Sequence, residues 1–248
     1  MNDGCDLIRV TALCFIMTDK EIKLDARLNA VASLVRNGVT LYDIGSDHAY
    51  LPVSLLTQNK IPFAYICDVA RGPLSKAEET VKTYGVSDRS RLCLSDGMKS
   101  VEIIPPCDIS IAGMGGELIA SIIDACPDVK DPDVRLVLQP MTRGEELRRY
   151  LCENGFEILC ENTVFEGKYY TVISCRYTGE RYELSPSELV LGKASVGREN
   201  GEFFAMAENK LEILKAIYDG KKRGGADCFY EEKLIDEITK ILDNGEKR

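Results

Sequence analysis

Three aspartates in the first half of the chain stand where apolar, strand-like runs end. Asp43 closes VTLYD, Asp68 closes FAYICD and Asp96 follows RLCLS, and Gly45 and Gly97 lie close behind two of them. A carboxylate in this position accepts hydrogen bonds from hydroxyl or ammonium groups, and a glycine lets a ligand approach the backbone. Any one of these aspartates is equally typical of a helix N-cap. Their recurrence at successive strand ends favours a shared ligand site.

The loop after the first run, IGSDHAY, indicates which kind of ligand fits. The dinucleotide-binding pattern G-x-G-x-x-G has its second glycine beneath a diphosphate, and this chain has Asp47 there. An anion at that position repels a diphosphate, which disfavours an NAD-dependent oxidoreductase and favours a ligand with a positively charged end. Asp43 and Asp47 can both accept hydrogen bonds from an amine. His48, the only histidine, either contacts the ligand or caps and packs the next helix.

A glycine-rich segment, IAGMGG, follows the fourth apolar run and must approach a ligand closely or adopt unusual backbone dihedrals. Asp68 lies 23 residues after Gly45, near the spacing of the acid that binds ribose hydroxyls in such folds. Asp96 and Gly97 suit the exocyclic amine of adenine. Together these features describe a pocket for an adenosine with a cationic tail. S-adenosylmethionine (SAM), which becomes S-adenosylhomocysteine (SAH) after methyl transfer, has this chemistry.

The elements that must position these residues alternate regularly along the chain. Five strand-like runs are separated by stretches of helical periodicity, which predicts a parallel, doubly wound, Rossmann-like sheet covered by helices on both faces. Two further runs, FEILCENTVFE and YYTVISCRY, have no helix between them. We expect them to form an antiparallel pair at one edge, so the α/β fold has a seven-stranded sheet of the methyltransferase type.

The last third of the chain has a different pattern. Apolar residues at helical spacing fill 199–222 and 229–244, with Gly224-Gly225 between them, and predict an antiparallel α-helical hairpin of coiled-coil type. We therefore divide the chain into an N-terminal extension at 1–16, a catalytic domain at 17–178 and a small C-terminal helical domain at 179–248. The apolar stripes are expected to pack against each other rather than bind a cofactor.

Composition limits the partners and the compartment. The 248 residues include 31 Lys and Arg against 40 Asp and Glu, a net charge of −9, so a nucleic acid would have to meet a local basic patch. The 10 cysteines contain no CxxC pair, which disfavours zinc-ribbon and thioredoxin-type sites and predicts reduced, mostly buried thiols. We expect a cytoplasmic protein without a metal site. No run reaches the ~18 apolar residues of a membrane span.

A family resemblance rests on six segments in order: IGSDHAYLP, DVARGPLSKA, SDG, IAGMGGELI, LVLQP and GKYY. In sequence and spacing they resemble the bacterial tRNA (adenine(22)-N1)-methyltransferase family over about residues 24–177, and the first and fourth segments are specific to it. The resemblance implies a class I methyltransferase with a small coiled-coil domain, SAM as cofactor and tRNA as substrate. The Asn/Asp-Pro-Pro-aromatic motif of many adenine methyltransferases is absent, as in this family.

Carried onto the matching positions, the resemblance implies a set of cofactor contacts. They are Asp43, Gly45, Asp47 and His48 at the methionine end, Asp68 at the ribose, Asp96 and Gly97 at the adenine, and Ala112, Gly113 and Met114 near the sulfonium. N1 of adenine already has a lone pair, so methyl transfer needs placement rather than a strong base. The residues expected to supply placement or charge stabilisation are Asp47, Met114, Gly115 and Gln139, the last through hydrogen bonds to a base edge.

The RNA contacts expected from the residues are few. Arg71, Lys168 and the cluster Lys221-Lys222-Arg223 can bind phosphates, and Tyr170 can stack on a base, as can Tyr50 or Tyr169. The alternatives are a solvated helix end for the cluster and ordinary edge-strand packing for the tyrosines. We expect a monomer or a weak dimer.

Two other function classes remain open at this point. One is a class I methyltransferase that acts on another RNA, a protein or a small molecule. The other is a non-catalytic module that keeps the methyltransferase fold for RNA binding. Because acids stand at three strand ends, the loss of cofactor binding is disfavoured.

Overall fold

The computed structural model describes residues 22–193 and 201–245. The extension expected at 1–16 lies outside the described residues. The helices are α1 Ala26–Leu34, α2 Tyr50–Thr57, α3 Arg71–Thr83, α4 Gly116–Asp124, α5 Gly144–Glu153, α6 Pro186–Leu191, α7 Gly201–Arg223 and α8 Phe229–Gly245. The strands are β1 Thr40–Ile44, β2 Ala64–Asp68, β3 Ser90–Leu94, β4 Cys107–Gly115, β5 Val134–Thr142, β6 Phe156–Glu166 and β7 Lys168–Tyr177.

The seven strands form one sheet in the order β3-β2-β1-β4-β5-β7-β6. Strands β1 to β5 run parallel, and β7 pairs antiparallel with both β5 and β6. The predicted doubly wound sheet and its antiparallel edge pair are both confirmed. The chain order reverses between β1 and β4, and ligands of open α/β sheets bind beyond the strand ends at such a point.

Helices cover both faces of the sheet, as the alternating pattern predicts. On one face α1, α2 and α3 bury residues such as Val31, Leu55 and Val81. On the other face α4 and α5 bury Ile119 and Leu151. Because burial of apolar area stabilises the fold by about 25 cal/mol per Å², these two cores hold the strand ends in fixed relative positions.

The structure departs from the sequence expectations at three elements. Strand β4 continues to Gly115, through most of the glycine-rich segment that was expected to follow it, with an irregular register around Met114, and β5 continues to Thr142, beyond the LVLQP segment. The short helix α6 was not predicted, although its start carries a recognisable signal. Ser185 caps it, Pro186 opens it and the Glu188 side chain completes the capping box.

The C-terminal helices have their own apolar core, in which Phe203, Met206 and Leu211 of α7 meet Leu234 and Ile238 of α8. The predicted helical hairpin is confirmed, and its stripes pack on each other. Helix α7 also contacts β6, and α6 contacts α5.

A buried ion pair fastens α6 to the catalytic sheet. The Arg148 Nη2 of α5 lies 2.7 Å from the Glu161 Oε2 of β6, and both side chains are 4% exposed. Arg148 Nη1 donates to the Leu189 carbonyl at 2.8 Å, and Glu161 Oε1 accepts from the Lys193 N–H at 3.0 Å. Removing one member of such a pair leaves an uncompensated buried charge, so this link is strongly held.

Within the described ranges, all eight cysteines are free thiols, and five of them are buried: Cys67, Cys107, Cys126, Cys152 and Cys175. Cys5 and Cys14 lie outside those ranges. No helix in the described part of the chain is both long and apolar enough to cross a membrane. The described residues also contain no cluster of three or more His, Cys, Asp and Glu side chains suited to a metal ion.

Candidate active site

The carboxyl ends of β1, β2 and β3 join into one continuous edge. The Gly45 N–H donates to the Cys67 carbonyl at 2.8 Å, and the Ser95 N–H donates to the Asp68 carbonyl at 2.9 Å. These bonds continue the ladder past the strands themselves. The ends of β1 and β2, with Asp43 and Asp68, are therefore aligned side by side with the loop that carries Asp96, as the sequence predicts for successive strand ends.

A cavity of about 320 Å³ opens between the ends of β1 and β4 and the start of α1. Six of the ten predicted cofactor residues line it: Asp43, Gly45, Asp47, His48, Ala112 and Gly113. Arg27 of α1 also lines it and was not predicted. The other four, Asp68, Asp96, Gly97 and Met114, lie on or next to the same edge outside this cavity.

Asp43 forms the floor of the cavity and is only 6% exposed. Its Oδ1 accepts a hydrogen bond of 2.6 Å from the Ser110 hydroxyl on the neighbouring strand β4. Burial raises the pKa of the Asp43 carboxyl above its usual value, and the hydrogen bonds from Ser110 and Ser46 oppose this effect only in part. A cationic ligand group would relieve this cost, because it favours the charged carboxylate.

The raised pKa of Asp43 predicts a specific pH dependence of stability in the ligand-free protein. The pKa of this carboxyl is higher in the folded state than in the unfolded state. Its contribution to stability is fully present at pH values below the pKa of the unfolded state, and it is lost as the pH rises through the pKa of the folded state. We therefore expect the free energy of unfolding of the wild type, relative to Asp43→Asn, to fall with rising pH by up to about 1.4 kcal/mol per pH unit. Urea unfolding of both proteins from pH 4 to 8 measures this difference. A difference that stays constant across this range would contradict the prediction.

Gly45 has a left-handed backbone conformation that favours glycine, and it lies against Met114. Its φ is +78°, and a Cβ there would lie 2.1 Å from the Met114 methyl carbon. Met114 therefore packs directly against the backbone turn beneath the cavity. This contact joins the loop after β1 to the glycine-rich loop of β4.

Asp47 and His48 lie at the mouth of the cavity in contact with each other. Asp47 is 60% exposed, and its two oxygens lie 3.3 Å from Lys76 Nζ and 3.3 Å from His48 Nε2. The His48 ring stacks on the Tyr50 ring with centroids 5.1 Å apart. The carboxylate of Asp47 is thus already paired with a lysine, which weakens its predicted role as an acceptor of developing charge.

Asp68 and Asp96 have different local partners. Asp68 Oδ1 accepts from the Ala70 N–H at 2.8 Å, while its Oδ2 makes no hydrogen bond in the described part of the chain. One oxygen thus shapes the turn, and the other has no hydrogen-bond partner among the described residues. The exposed Asp96 carboxylate is paired with Lys99, and Gly97 behind it has a φ of +61°.

Gln139 is bonded to neighbouring groups of the protein, which weakens its predicted role at a base edge. This side chain is fully buried, its Oε1 accepts 3.0 Å hydrogen bonds from the Gly113 N–H and Arg27 Nη1, and its Nε2 donates to the Pro140 carbonyl at 2.9 Å. Since its amide is satisfied within the protein, Gln139 does not present a hydrogen-bonding edge to a base. It holds the Gly113 turn, with a φ of +80°, and the guanidinium of Arg27 in place.

Arg27 reaches the cavity because of a contact that is remote in sequence. The Ala26 N–H at the start of α1 donates to Glu166 Oε2 at 2.9 Å, across 140 residues of chain. Glu166 ends β6 at the same sheet edge as the cavity. The sequence around Arg27 reads as an ordinary amphipathic helix and carries no signal for this placement.

The glycine-rich loop of β4 touches the loop after β5. A Cβ at Gly115 would lie 3.4 Å from Thr142 Oγ1, and a Cβ at Gly116 would lie 2.1 Å from the Arg143 carbonyl oxygen. Arg143 is itself in the left-handed region with a φ of +59°, which a non-glycine residue adopts at a cost. The two loops are therefore packed backbone to backbone beside the cavity.

The predicted RNA contacts are dispersed over the surface. Arg71 starts α3 next to Asp68, and Lys168 Nζ lies 5.1 Å above the Tyr170 ring at the start of β7. At the end of α7, Lys221 Nζ is 2.7 Å from Glu231 Oε1 and Lys222 donates to the Tyr218 hydroxyl at 3.1 Å. Arg223 stays exposed. The partnered lysines present less charge to a phosphate than the sequence alone indicates.

The chain is similar in sequence to known methyltransferases. Residues 24–173 match the family described as a methyltransferase domain. The chain is 32% identical over 238 residues to the tRNA (adenine(22)-N(1))-methyltransferase of Bacillus subtilis, which covers 91% of this chain and 99% of that protein.

Solved structures give the same result. The structure of M. capricolum TrmK with SAH has a TM-score of 0.73 and 26% identity, over 89% of this chain and 98% of that one. The crystal structure of the Bacillus subtilis M1A22 tRNA methyltransferase TrmK has a TM-score of 0.72 and 28% identity, over 92% and 99% of the two chains. The protein described here belongs to the tRNA (adenine(22)-N1)-methyltransferase family.

Proposed function

We propose that this protein transfers the methyl group of SAM to N1 of adenine 22 in tRNA and forms 1-methyladenosine. The observation that carries the proposal is the arrangement on one sheet edge of a buried carboxylate, two left-handed glycine turns and a glycine-rich loop without an acid or base. Support comes also from the relatives named above, one of which is named for this reaction. We do not propose the alternatives of another substrate class or a non-catalytic module.

The residues of the cavity fit SAM. The buried Asp43 suits the ammonium of the amino-acid end, and Arg27 lies at that same end with a guanidinium that can pair with the carboxylate. Asp68 Oδ2, which has no hydrogen-bond partner among the described residues, is available to the ribose hydroxyls. Asp96 and Gly97 follow on the next strand, where the adenine would lie. Gly45 and Gly113 both line the cavity with positive φ, so two tight backbone turns would lie beside the ligand.

Catalysis in this site consists mainly of placement. Bound SAM supplies an electrophilic methyl group on a sulfonium. No side chain of Ala112, Gly113, Met114, Gly115 or Gly116 can act as a base, which agrees with a nucleophile that already has a free lone pair. The chain instead fixes the loop: Gln139 holds the Gly113 N–H, and Met114 packs on Gly45. Backbone carbonyls of this loop would stabilise the positive charge that passes to the base.

The remaining expectations stay part of the proposal. The substrate is tRNA, and we propose that the protein acts in the cytoplasm, where tRNA is found. We retain the division at residue 178, which the separate apolar core of α7 and α8 supports. A monomer or weak dimer is still expected.

The decisive experiment is nucleoside mass spectrometry of an unmodified tRNA transcript incubated with the protein and SAM. We expect a 1-methyladenosine peak that depends on SAM and disappears when adenine 22 is replaced by guanine. A peak that persists with guanine at position 22 would show a different target nucleotide. No methylated nucleoside from a protein that binds SAM would overturn the tRNA proposal and leave the cofactor assignment.

A further inference from the structure

A second cavity, of about 330 Å³, lies between the catalytic sheet and the C-terminal helices. One wall is the loop after β5 and the start of α5, another is the start of β7, and the third is formed by α6 and α7. We name it the interdomain cleft and define it by Thr142, Glu145, Tyr170, Val190, Met206 and Lys210. It is separate from the cofactor cavity, and none of the predicted cofactor residues lines it.

The interdomain cleft is directly continuous with the loops beside the transfer site. Gly115 of the glycine-rich loop packs on Thr142, which lines the cleft, and Gly116 packs on Arg143, which lines it as well. A strand that places one nucleotide at the glycine-rich loop would therefore lead its neighbour into this cleft.

Three side chains of the cleft offer what a nucleotide needs. Within the described residues, Lys210 makes no hydrogen bond or ion pair, so its ammonium is available to a phosphate. Tyr170 supplies an aromatic ring; because Lys168 Nζ lies 5.1 Å over one face, a base would stack on the other face. Glu145 has no hydrogen-bond partner in the described chain and can accept from an exocyclic amine, whereas Glu146 is already 3.0 Å from Arg143.

The position of Lys210 on α7 favours an RNA strand over a small ligand. From Lys210 to Arg223 the helix extends roughly 20 Å, the length of a few nucleotides. One helix thus joins the cleft to the exposed arginine at its end. In a chain of net charge −9, an unpaired lysine inside a cleft is a selective contact rather than part of a general basic surface.

We propose that the interdomain cleft binds the nucleotide adjacent to the methylated adenine, with its phosphate on Lys210, its base on Tyr170 and an exocyclic amine on Glu145. This inference rests on the proposed function for the identity of the RNA. It adds a substrate subsite built from both parts of the chain. It also gives the C-terminal helices a role in holding the substrate beside the transfer site.

The first test measures tRNA affinity, so that it does not depend on methyl transfer. Fluorescence anisotropy with a tRNA transcript should show about tenfold weaker binding for Lys210→Gln and for Tyr170→Leu, while Tyr170→Phe recovers most of the affinity because it keeps the ring. The salt dependence of Lys210→Gln should be flatter by about one phosphate contact. Lys215→Gln is the matched control, since Lys215 lies on the same helix, pairs with Glu212 and does not line the cleft.

The second test identifies the phosphate. A set of tRNAs is assembled, each with a neutral methylphosphonate at a single linkage near adenine 22. For the tRNA whose neutral linkage replaces the phosphate bound by Lys210, Lys210→Gln should bind as well as the wild type, and for the others it should show its full loss of affinity. Additive losses at every linkage, or wild-type tRNA affinity of Lys210→Gln, would overturn the proposal. SAM affinity and melting temperature should stay at wild-type values. If the wild type binds tRNA but forms no 1-methyladenosine, the proposed function fails, and the binding data still decide the subsite.

Discussion

Gly116→Ala is expected to lower kcat/KM for tRNA methylation about 100-fold. The new Cβ would lie 2.1 Å from the Arg143 carbonyl oxygen and 2.9 Å from its carbonyl carbon. Both atoms belong to the backbone, so relief requires the loops after β4 and β5 to separate by about 1 Å, and a displacement of this size at a transfer site costs about 100-fold. Initial rates of 1-methyladenosine formation at varied tRNA concentration measure the effect.

The expected loss at Gly116 is one of placement, not of cofactor binding. SAM affinity, measured by calorimetry, should therefore change only a few-fold and also shows that the variant is folded. Gly220→Ala is the control, since a Cβ at Gly220 meets no atom of the described residues within 4 Å. Wild-type kcat/KM in Gly116→Ala would show that the contact between the two loops does not control the transfer geometry.

Asp68→Asn is expected to weaken SAM and SAH binding about 50-fold. The asparagine keeps an oxygen that can accept from the Ala70 N–H, now 2.8 Å from Asp68 Oδ1, so the turn is preserved. What is lost is a charged acceptor for the ribose hydroxyls, and hydrogen bonds to charged groups contribute about 1.5–3 kcal/mol each. Calorimetric titration with both ligands measures the change, and SAH tests the ribose contact without the sulfonium.

The chain offers a matched control for this substitution. Asp131 makes the same turn, with its Oδ1 accepting from the Asp133 N–H at 2.8 Å, but it precedes β5 at the opposite edge of the sheet. Asp131→Asn should leave SAM affinity unchanged. Unchanged affinity in Asp68→Asn as well would mean that the ribose does not lie at the end of β2, and the cofactor pocket would have to be placed elsewhere.

Much of the fold and of the cofactor edge is readable from the sequence because the signals are local. Alternating apolar runs and helical periods predict the parallel sheet, and Asp43, Asp68 and Asp96 mark strand ends directly. Parallel strands bring their carboxyl ends to one edge, so residues far apart in sequence are placed together without any knowledge of contacts. Helix α6 was missed although its capping box is local, because the helix has only 6 residues.

Other properties of the site depend on contacts that no local pattern contains. Gln139 stands at a strand end and so reads as a ligand residue, but burial and its bonds to Gly113 and Arg27 make it a support for the loop. Lys221 reads as a free cation, and the packing of α8 pairs it with Glu231.

By itself, the sequence determined which functional groups follow each strand: the acids, the glycine turns and the loop without a base. These groups point to SAM and to an acceptor with its own lone pair. Only the tertiary structure decided which side chains reach the site. Arg27 lines the cavity because Glu166 holds the start of α1, and Lys210 meets Tyr170 in one cleft because α7 packs beside the sheet. The physical reason is that strand ends converge through backbone hydrogen bonding, whereas helix positions over the sheet depend on side-chain packing between distant segments.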